Sequence, residues 1–288
     1  MKKRLLVVLL AICLVCCTKE AAQLDLSKAN SIADLKGAKI AIQGGTLHAD
    51  IAVQIEDGKL TEYPSIDDMA IAVKSGVVDG AFMDGPIAIT YCGKDDSFGY
   101  VPLVNNKTGF TCDATLSGNA CAVNEGSELR EKINAVLAEL DPNAPYKLME
   151  QIIDLSLGKE VTEFAITGKD VENPVGTLKV GMECCSEPFN WTDENGASFG
   201  AVPIASEGYE GLYANGLDVQ IARYVAEKLN MKLEVYAIEW DSLIPSVQSG
   251  VIDVIIGNMS PTRERDENGV DFTTSYYDVN YVILYKKK

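Results

Sequence analysis

The chain is short of histidine, of tryptophan and of positive charge. One histidine, His48, stands in 288 residues. A lone imidazole supplies neither a histidine metal cluster nor evidence of a nucleophile–base pair. Lys and Arg number 25 against 42 Asp and Glu, a net charge of −17. Such a chain repels phosphate backbones, which excludes nucleic acid as the natural partner. Past the first residues no apolar run is long enough to span a bilayer, and no short-period repeat is visible. What remains, 47% hydrophobic and 23% charged residues, is the make-up of an ordinary globular protein of one large or two modest domains.

The N-terminus sets the compartment. Lys2, Lys3 and Arg4 precede an apolar run over residues 5–15, too short for a bilayer and right for a secretory signal. It ends in Leu14-Val15-Cys16-Cys17 before polar residues. This resembles a bacterial lipobox with Cys17 as the lipidated residue; Cys16 stands where a small residue is usual. The alternative is a plain signal peptide with incidental cysteines. Of the eight cysteines, Cys13 and Cys16 would leave with the signal and Cys17 would carry lipid. Five remain, an odd number, so at least one thiol stays free. Cys112 and Cys121 could bridge a hairpin-like segment, and adjacent Cys184-Cys185 lacks zinc-ligand spacing.

Along the chain, strands alternate with helices, which predicts parallel α/β architecture. Residues 1–17 read as signal and lipobox, and 18–30 as a polar tether. Residues 39–43 (KIAIQ) read as a strand, 44–46 as a turn into a helix, 67–75 as a helix ended by Gly76, and 78–83 as a strand reaching Asp84. Residues 127–140 and 146–157 read as amphipathic helices, and 158–176 as a polar linker. A second α/β run follows, with strands at 177–182, 232–236, 251–257 and 282–285 and helices at 217–229 and 240–249. The two halves each run strand-turn-helix without matching residue for residue.

Several ordered motifs of this second run, TLKVGM, EPFNWTDENG, GLDVQIARYVAEKLNMKLEV, EWDSLIPSVQSGVIDVIIGNMSPTRER and VDFTTSYYDVNYVILYKK, resemble the first lobe of the family-3 extracellular solute-binding proteins of amino-acid ABC transporters. SIADLKGAKIAIQGGT, VKSGVVDGAFMDGPIA and ACAVNEGSELREKINAVLAEL resemble the second lobe. The resemblance implies a two-lobed periplasmic-binding-protein-like fold, each lobe a mostly parallel sheet flanked by helices, joined by a hinge. Here the lobe that usually comes second is met first. The expected division is lobe two over 31–119, a return strand and helices over 120–157 packing on lobe one, linker 158–176, and lobe one over 177–288. That order implies a circular permutation; a fragment of a tandem pair is the alternative.

A free amino acid brings a carboxylate and an ammonium, and each needs a partner once buried. A planar guanidinium suits the carboxylate. By the resemblance, Arg265 of SPTRER holds it; one extra residue before Val270 keeps Arg263 as the fallback. Thr46, at a helix N-terminus, can donate to the same carboxylate or simply cap the helix. Asp84 matches the ammonium-binding aspartate, with Asp79, inside the strand pattern, read as structural. The resemblance also turns the Asn258 carbonyl and Ser260 hydroxyl to the ligand, and lines the cleft with Phe189 and Trp240. Ser186 stands where many relatives carry tyrosine, and Trp191, Cys184 and Cys185 flank the pocket.

The expected protein is therefore a monomeric, lipid-anchored receptor on the outer face of a bacterial cell membrane, passing a free amino acid to the permease subunits of an ABC importer. No cofactor, metal or catalytic residue is expected. The competing readings are a surface sensor on the same fold and an enzyme of the cyclohexadienyl-dehydratase type, for which no further acid or base is evident.

Overall fold

The computed structural model describes residues 24–104, 110–111, 118–193, 197–262, 265 and 267–288. The lipobox with Cys17, Cys112 and Arg263 lie outside them. Among the described residues no helix is long and apolar enough to cross a membrane.

The chain enters through two 3-10 turns into β1 (Lys39–Gln43), α1 (Leu47–Ala52), β2 (Lys59–Tyr63), α2 (Ile66–Ser75), β3 (Gly80–Asp84), α3 (Gly85–Lys94) and β4 (Phe98–Leu103). Local chemistry sets these bounds. Thr46 Oγ1 accepts from the Ala49 N–H and Ser65 Oγ from the Asp68 N–H, capping α1 and α2. Gly76, at φ 77°, closes α2 in the left-handed region. β3 is buried along its whole length, as befits a central strand with both faces covered.

β5 (Gly118–Asn124), α4 (Leu129–Leu137) and α5 (Ala144–Ser156) follow. The segment 157–176 then leads to β6 (Thr177–Met182), β7 (Cys185–Ser186), β8 (Asn190–Asp193), β9 (Val202–Pro203) and β10 (Tyr213–Asn215). The chain continues through α6 (Leu217–Lys228), β11 (Lys232–Ala237), α7 (Trp240–Gln248), β12 (Val254–Ile255), β13 (Val270–Asp278) and β14 (Tyr281–Lys286). β7 to β10 form a small antiparallel sheet in the order β7-β8-β10-β9.

Two five-stranded sheets carry the lobes. One runs β2-β1-β3-β14-β4 and the other β11-β6-β12-β5-β13. The first three strands of each are parallel; β14 and β5 are antiparallel to both of their neighbours. Each sheet thus takes its fourth strand from the far part of the chain, and the backbone passes between lobes from β4 to β5 and from β13 to β14. This moves a boundary. Residues 177–288 read from sequence as one lobe, but β14 sits in the sheet of the N-terminal lobe, between β3 and β4. Val282, Ile283 and Leu284 are fully buried there. An apolar run shows that a strand is buried, not which sheet buries it.

Candidate functional site

The carboxyl ends of β1, β3, β6 and β12 point into the crevice between the two sheets, where open α/β sheets present ligand sites. A small cavity of about 20 Å³ lies there, lined by Gln43, Thr46, Leu47, His48, Ile66 and Asp84 from the N-terminal lobe. Glu183, Ser186, Trp240, Asn258, Ser260 and Arg265 line it from the other. Seven of the eight residues singled out from sequence therefore meet in one place. Phe189 does not. It is fully buried and packs edge-on against Tyr277, ring centroids 5.8 Å apart, inside its own lobe. Sequence identifies an aromatic as buried more readily than it says against what.

Arg265 is buried, and its guanidinium donates to the Ser260 carbonyl at 2.6 Å and, across the cleft, to the Gly45 carbonyl at 2.5 Å. Its Cζ lies 5.2 Å from the Trp240 ring centroid, in cation–π range. Both of these acceptors are backbone carbonyls. Ser260 thus serves Arg265 through its carbonyl. Thr46 donates to the Gln43 carbonyl at 2.7 Å while capping α1, so its hydroxyl is doubly engaged.

Asp84 ends β3 and precedes α3 but makes no capping bond, so its carboxylate is left to the cleft. It is buried, and both oxygens are held. Oδ1 lies 2.8 Å from His48 Nε2, and Oδ2 accepts from Asn258 Nδ2 at 2.8 Å across the cleft. Asn258 adopts φ 54°, a left-handed conformation that asparagine tolerates better than most residues. Its Oδ1 accepts from Asn119 Nδ2 at 2.5 Å. Asp79 accepts instead from the N–H groups of Leu24 and Lys39, at 2.9 and 2.8 Å, as a backbone tie far from the cavity lining.

Sequence reasoning passed over three polar residues that line this cavity, Gln43, Glu183 and His48. Gln43 Nε2 donates to Glu183 Oε1 at 3.1 Å between the lobes. Glu183 also accepts from the Ser186 hydroxyl at 3.3 Å, and burial pushes its carboxyl upward. Both are the strand-end residues of β1 and β6 or adjoin them, a signal the strand readings already contained. His48, read from sequence only as a lone imidazole, reaches Asp84. Behind the cavity, Asp218 in the first turn of α6 is wholly buried. It accepts from the Tyr276 hydroxyl and from Asn190 Nδ2, each at 2.7 Å, and from the Asn258 backbone. Burial nevertheless raises its pKa to about 7.

Ile66 and Glu183 also border a larger chamber of about 780 Å³. Asp67, Asp68, Glu187 and Glu239 add carboxylates to it, Tyr91, Trp191 and Tyr209 add rings, and Lys94, bonded to Glu187 across the cleft, adds the one cation of the lining among the described residues. Cys184 and Cys185 border it as free thiols, and burial raises both far above the usual range of a reactive cysteine. Cys121 is likewise free and buried in β5.

Residues 178–288 match the model of the bacterial extracellular solute-binding proteins, family 3. Over this stretch the chain is similar to that family. The arginine-binding extracellular protein ArtP of Bacillus subtilis (strain 168) is 37% identical over 78 residues, 27% of this chain and 30% of ArtP. The L-cystine-binding protein TcyJ of Escherichia coli (strain K12) is 28% identical over 138 residues, 47% of this chain and 45% of TcyJ. A probable histidine-binding protein of Campylobacter jejuni is 31% identical over 105 residues, 36% of this chain and 34% of that protein. The chain thus spans between 30% and 45% of the length of these relatives. Among solved structures, the arginine-bound form of domain 1 from TmArgBP is 32% identical. It covers 39% of this chain and 79% of that one, with a TM-score of 0.29.

Proposed function

We propose that the protein captures a free amino acid between its two lobes and delivers it to an ABC importer. One observation carries this reading. A buried guanidinium and a buried carboxylate, Arg265 and Asp84, come from opposite lobes and line the same cavity. An α-carboxylate and α-ammonium are the complements of that pair. A ligand that touches both lobes favours the closed arrangement over the open one by its differential affinity, the requirement for a hinge-bending receptor. The carboxylates of the adjoining chamber favour a side chain that is cationic. The matched relatives are named for arginine, histidine and cystine.

The protein acts as a monomer held to the outer face of the cell membrane by lipid on Cys17; the support is the sequence pattern of residues 2–17. The order of the lobes is a circular permutation of the family's usual chain, supported by a family match confined to the second run and by a resembling lobe placed before it. Calorimetry with each of the twenty L-amino acids and L-cystine tests the central reading. Heat of binding with at least one, lost in Arg265→Ala, is the expected result; no heat with any sinks it. Lipidation is read by incorporation of labelled palmitate into the wild type and its loss in Cys17→Ser.

A further inference from the structure

The chain's single imidazole sits on the carboxylate assigned to the ligand's ammonium. His48 Nε2 lies 2.8 Å from Asp84 Oδ1, with only 13% of its side chain exposed and 2% of that of Asp84. The ring is held from two further sides. Tyr281 of β14 meets it edge-on with centroids 5.1 Å apart, and Phe82 of β3 packs at 5.6 Å. His48 therefore cannot swing away from Asp84 without displacing aromatic packing. The other Asp84 oxygen is held by Asn258. An amide has no accessible titration, so of the two groups that fix this carboxylate, only His48 can change its charge near neutral pH.

We infer that His48 is a positioning residue that makes ligand capture depend on pH: neutral, it orients Asp84 for an incoming ammonium; protonated, it occupies that carboxylate as a rival cation. The neutral imidazole donates its Nε2–H and leaves the full negative charge of Asp84 to the ligand. Imidazolium in the same geometry cancels that charge from about 3 Å, inside the desolvated crevice where opposite charges are least screened. The inference rests on the reading of Asp84 as the ammonium partner.

Other ionisable groups face the same space and set the background. Arg265 and Glu183 line the cavity from the opposite lobe, Tyr281 contacts the ring from β14, and Asp50 is exposed on α1 itself. Arg265 stays charged throughout, so it lowers the attraction of the site for a proton at every pH alike. Glu183 in the lining and Asp218, behind Asn258 and electrostatically coupled to Asp84, are further groups that burial raises toward the working range. A variant that keeps both and removes the imidazole separates His48 from them.

Because His48 is the only histidine, its ring gives one resonance that reports on it alone in the untagged protein. The probe is L-arginine, whose guanidinium and α-ammonium both stay charged between pH 5 and 8. Binding of L-arginine by the wild type is expected to weaken by about tenfold from pH 8 to pH 5, within the usual range of coupling between two sites. By reciprocity, the His48 midpoint should be lower with saturating L-arginine than without, by the same factor. His48→Gln, whose amide can still donate to Asp84, should lose most of the ratio of affinities between the two pH values; His48→Asn serves if that variant is unfolded by circular dichroism. A wild-type midpoint indifferent to L-arginine, or a ratio unchanged in His48→Gln, overturns the inference and leaves the ammonium reading standing. Undiminished L-arginine binding by Asp84→Asn overturns the ammonium reading itself and the inference with it.

Discussion

Laid side by side, the two lobes turn out to be built on the same frame with different chemistry mounted on it. Ser75-Gly76-Val77-Val78-Asp79 in one is answered by Ser249-Gly250-Val251-Ile252-Asp253 in the other. Gly76 and Gly250 share a left-handed φ of 77° and 75°. Asp79 accepts from the Lys39 N–H and Asp253 from the Lys179 N–H, each at 2.8 Å, so in both lobes the aspartate ties the third strand to the first. Counting on from these ties gives the cleft. Four residues after Lys39 and Lys179 stand Gln43 and Glu183; five after Asp79 and Asp253 stand Asp84 and Asn258. Each pair is hydrogen-bonded across the crevice. Each consists of one acid and one amide, and the acid comes from a different lobe in each pair.

The lesson is that a near-symmetric interface closes only if its equivalent positions are unlike. Two carboxylates at either pair would repel at contact distance, and like charges so placed cost several kcal/mol. The frame can be duplicated, but the residues at its rim have to diverge in opposite senses.

The sharpest way to break that comparison is Asn258→Asp, which sets a second carboxylate against Asp84. Closure should be lost, with a larger radius of gyration in solution scattering and amino-acid affinity weakened by ~100-fold or more, as expected for several kcal/mol. The exchange Asp84→Asn with Asn258→Asp should restore the compact form but not the affinity, since the carboxylate then belongs to the wrong lobe for the ammonium. A compact Asn258→Asp single variant would show that the pair does not govern closure.

The next effect concerns Asp218, the buried acid behind Asn258 in one lobe. Its folded pKa, about 7, lies above the ordinary carboxylate value of 3.8, so the folded state binds the proton more tightly than the unfolded state. That favours the fold at low pH and is lost as pH rises from about 4 to about 7. Relative to Asp218→Asn, the wild type should lose stability across that window by up to about 4 kcal/mol. Urea unfolding at pH 4, 5.5 and 7 reads it; a difference that is flat or grows with pH contradicts the burial argument.

The paired ties come third. Asp79→Ala and Asp253→Ala each strand a backbone N–H, at about 1–3 kcal/mol per orphaned donor. Asp79 also holds the Leu24 N–H, so its loss should cost more in urea unfolding. Equal costs would mean that the N-terminal segment docks independently of Asp79. The smallest effect is at Lys94, bonded to Glu187 at the chamber edge with 44% and 24% of their side chains exposed. Lys94→Ala should weaken closure by no more than about 1 kcal/mol, the usual scale for an exposed pair. Calorimetry that shows a larger loss would make Lys94 part of the ligand site.

Much of this was legible in the sequence because the signals are local. Thr46, Asp84, Asn258 and Arg265 each follow a strand pattern and a turn, and a strand's carboxyl end in an α/β fold is a place to look for chemistry. What was not legible depends on distant partners. Nothing near Tyr281 says that β14 crosses to the other lobe, and nothing near Phe189 says that its ring turns to Tyr277. The pairing of Gln43 with Glu183 joins residues 140 positions apart. His48 was discounted as a solitary histidine, and only the fold sets it against Asp84.

The exchanged strands carry one further consequence, for modularity. Neither lobe is a contiguous cassette: β5 completes the sheet of the C-terminal run and β14 that of the N-terminal run. A cut anywhere in 158–176 divides the polypeptide without dividing the lobes, because each piece holds a strand inside the sheet of the other. Recombination at that point would transplant four strands of one five-stranded sheet and one of the other rather than one whole lobe.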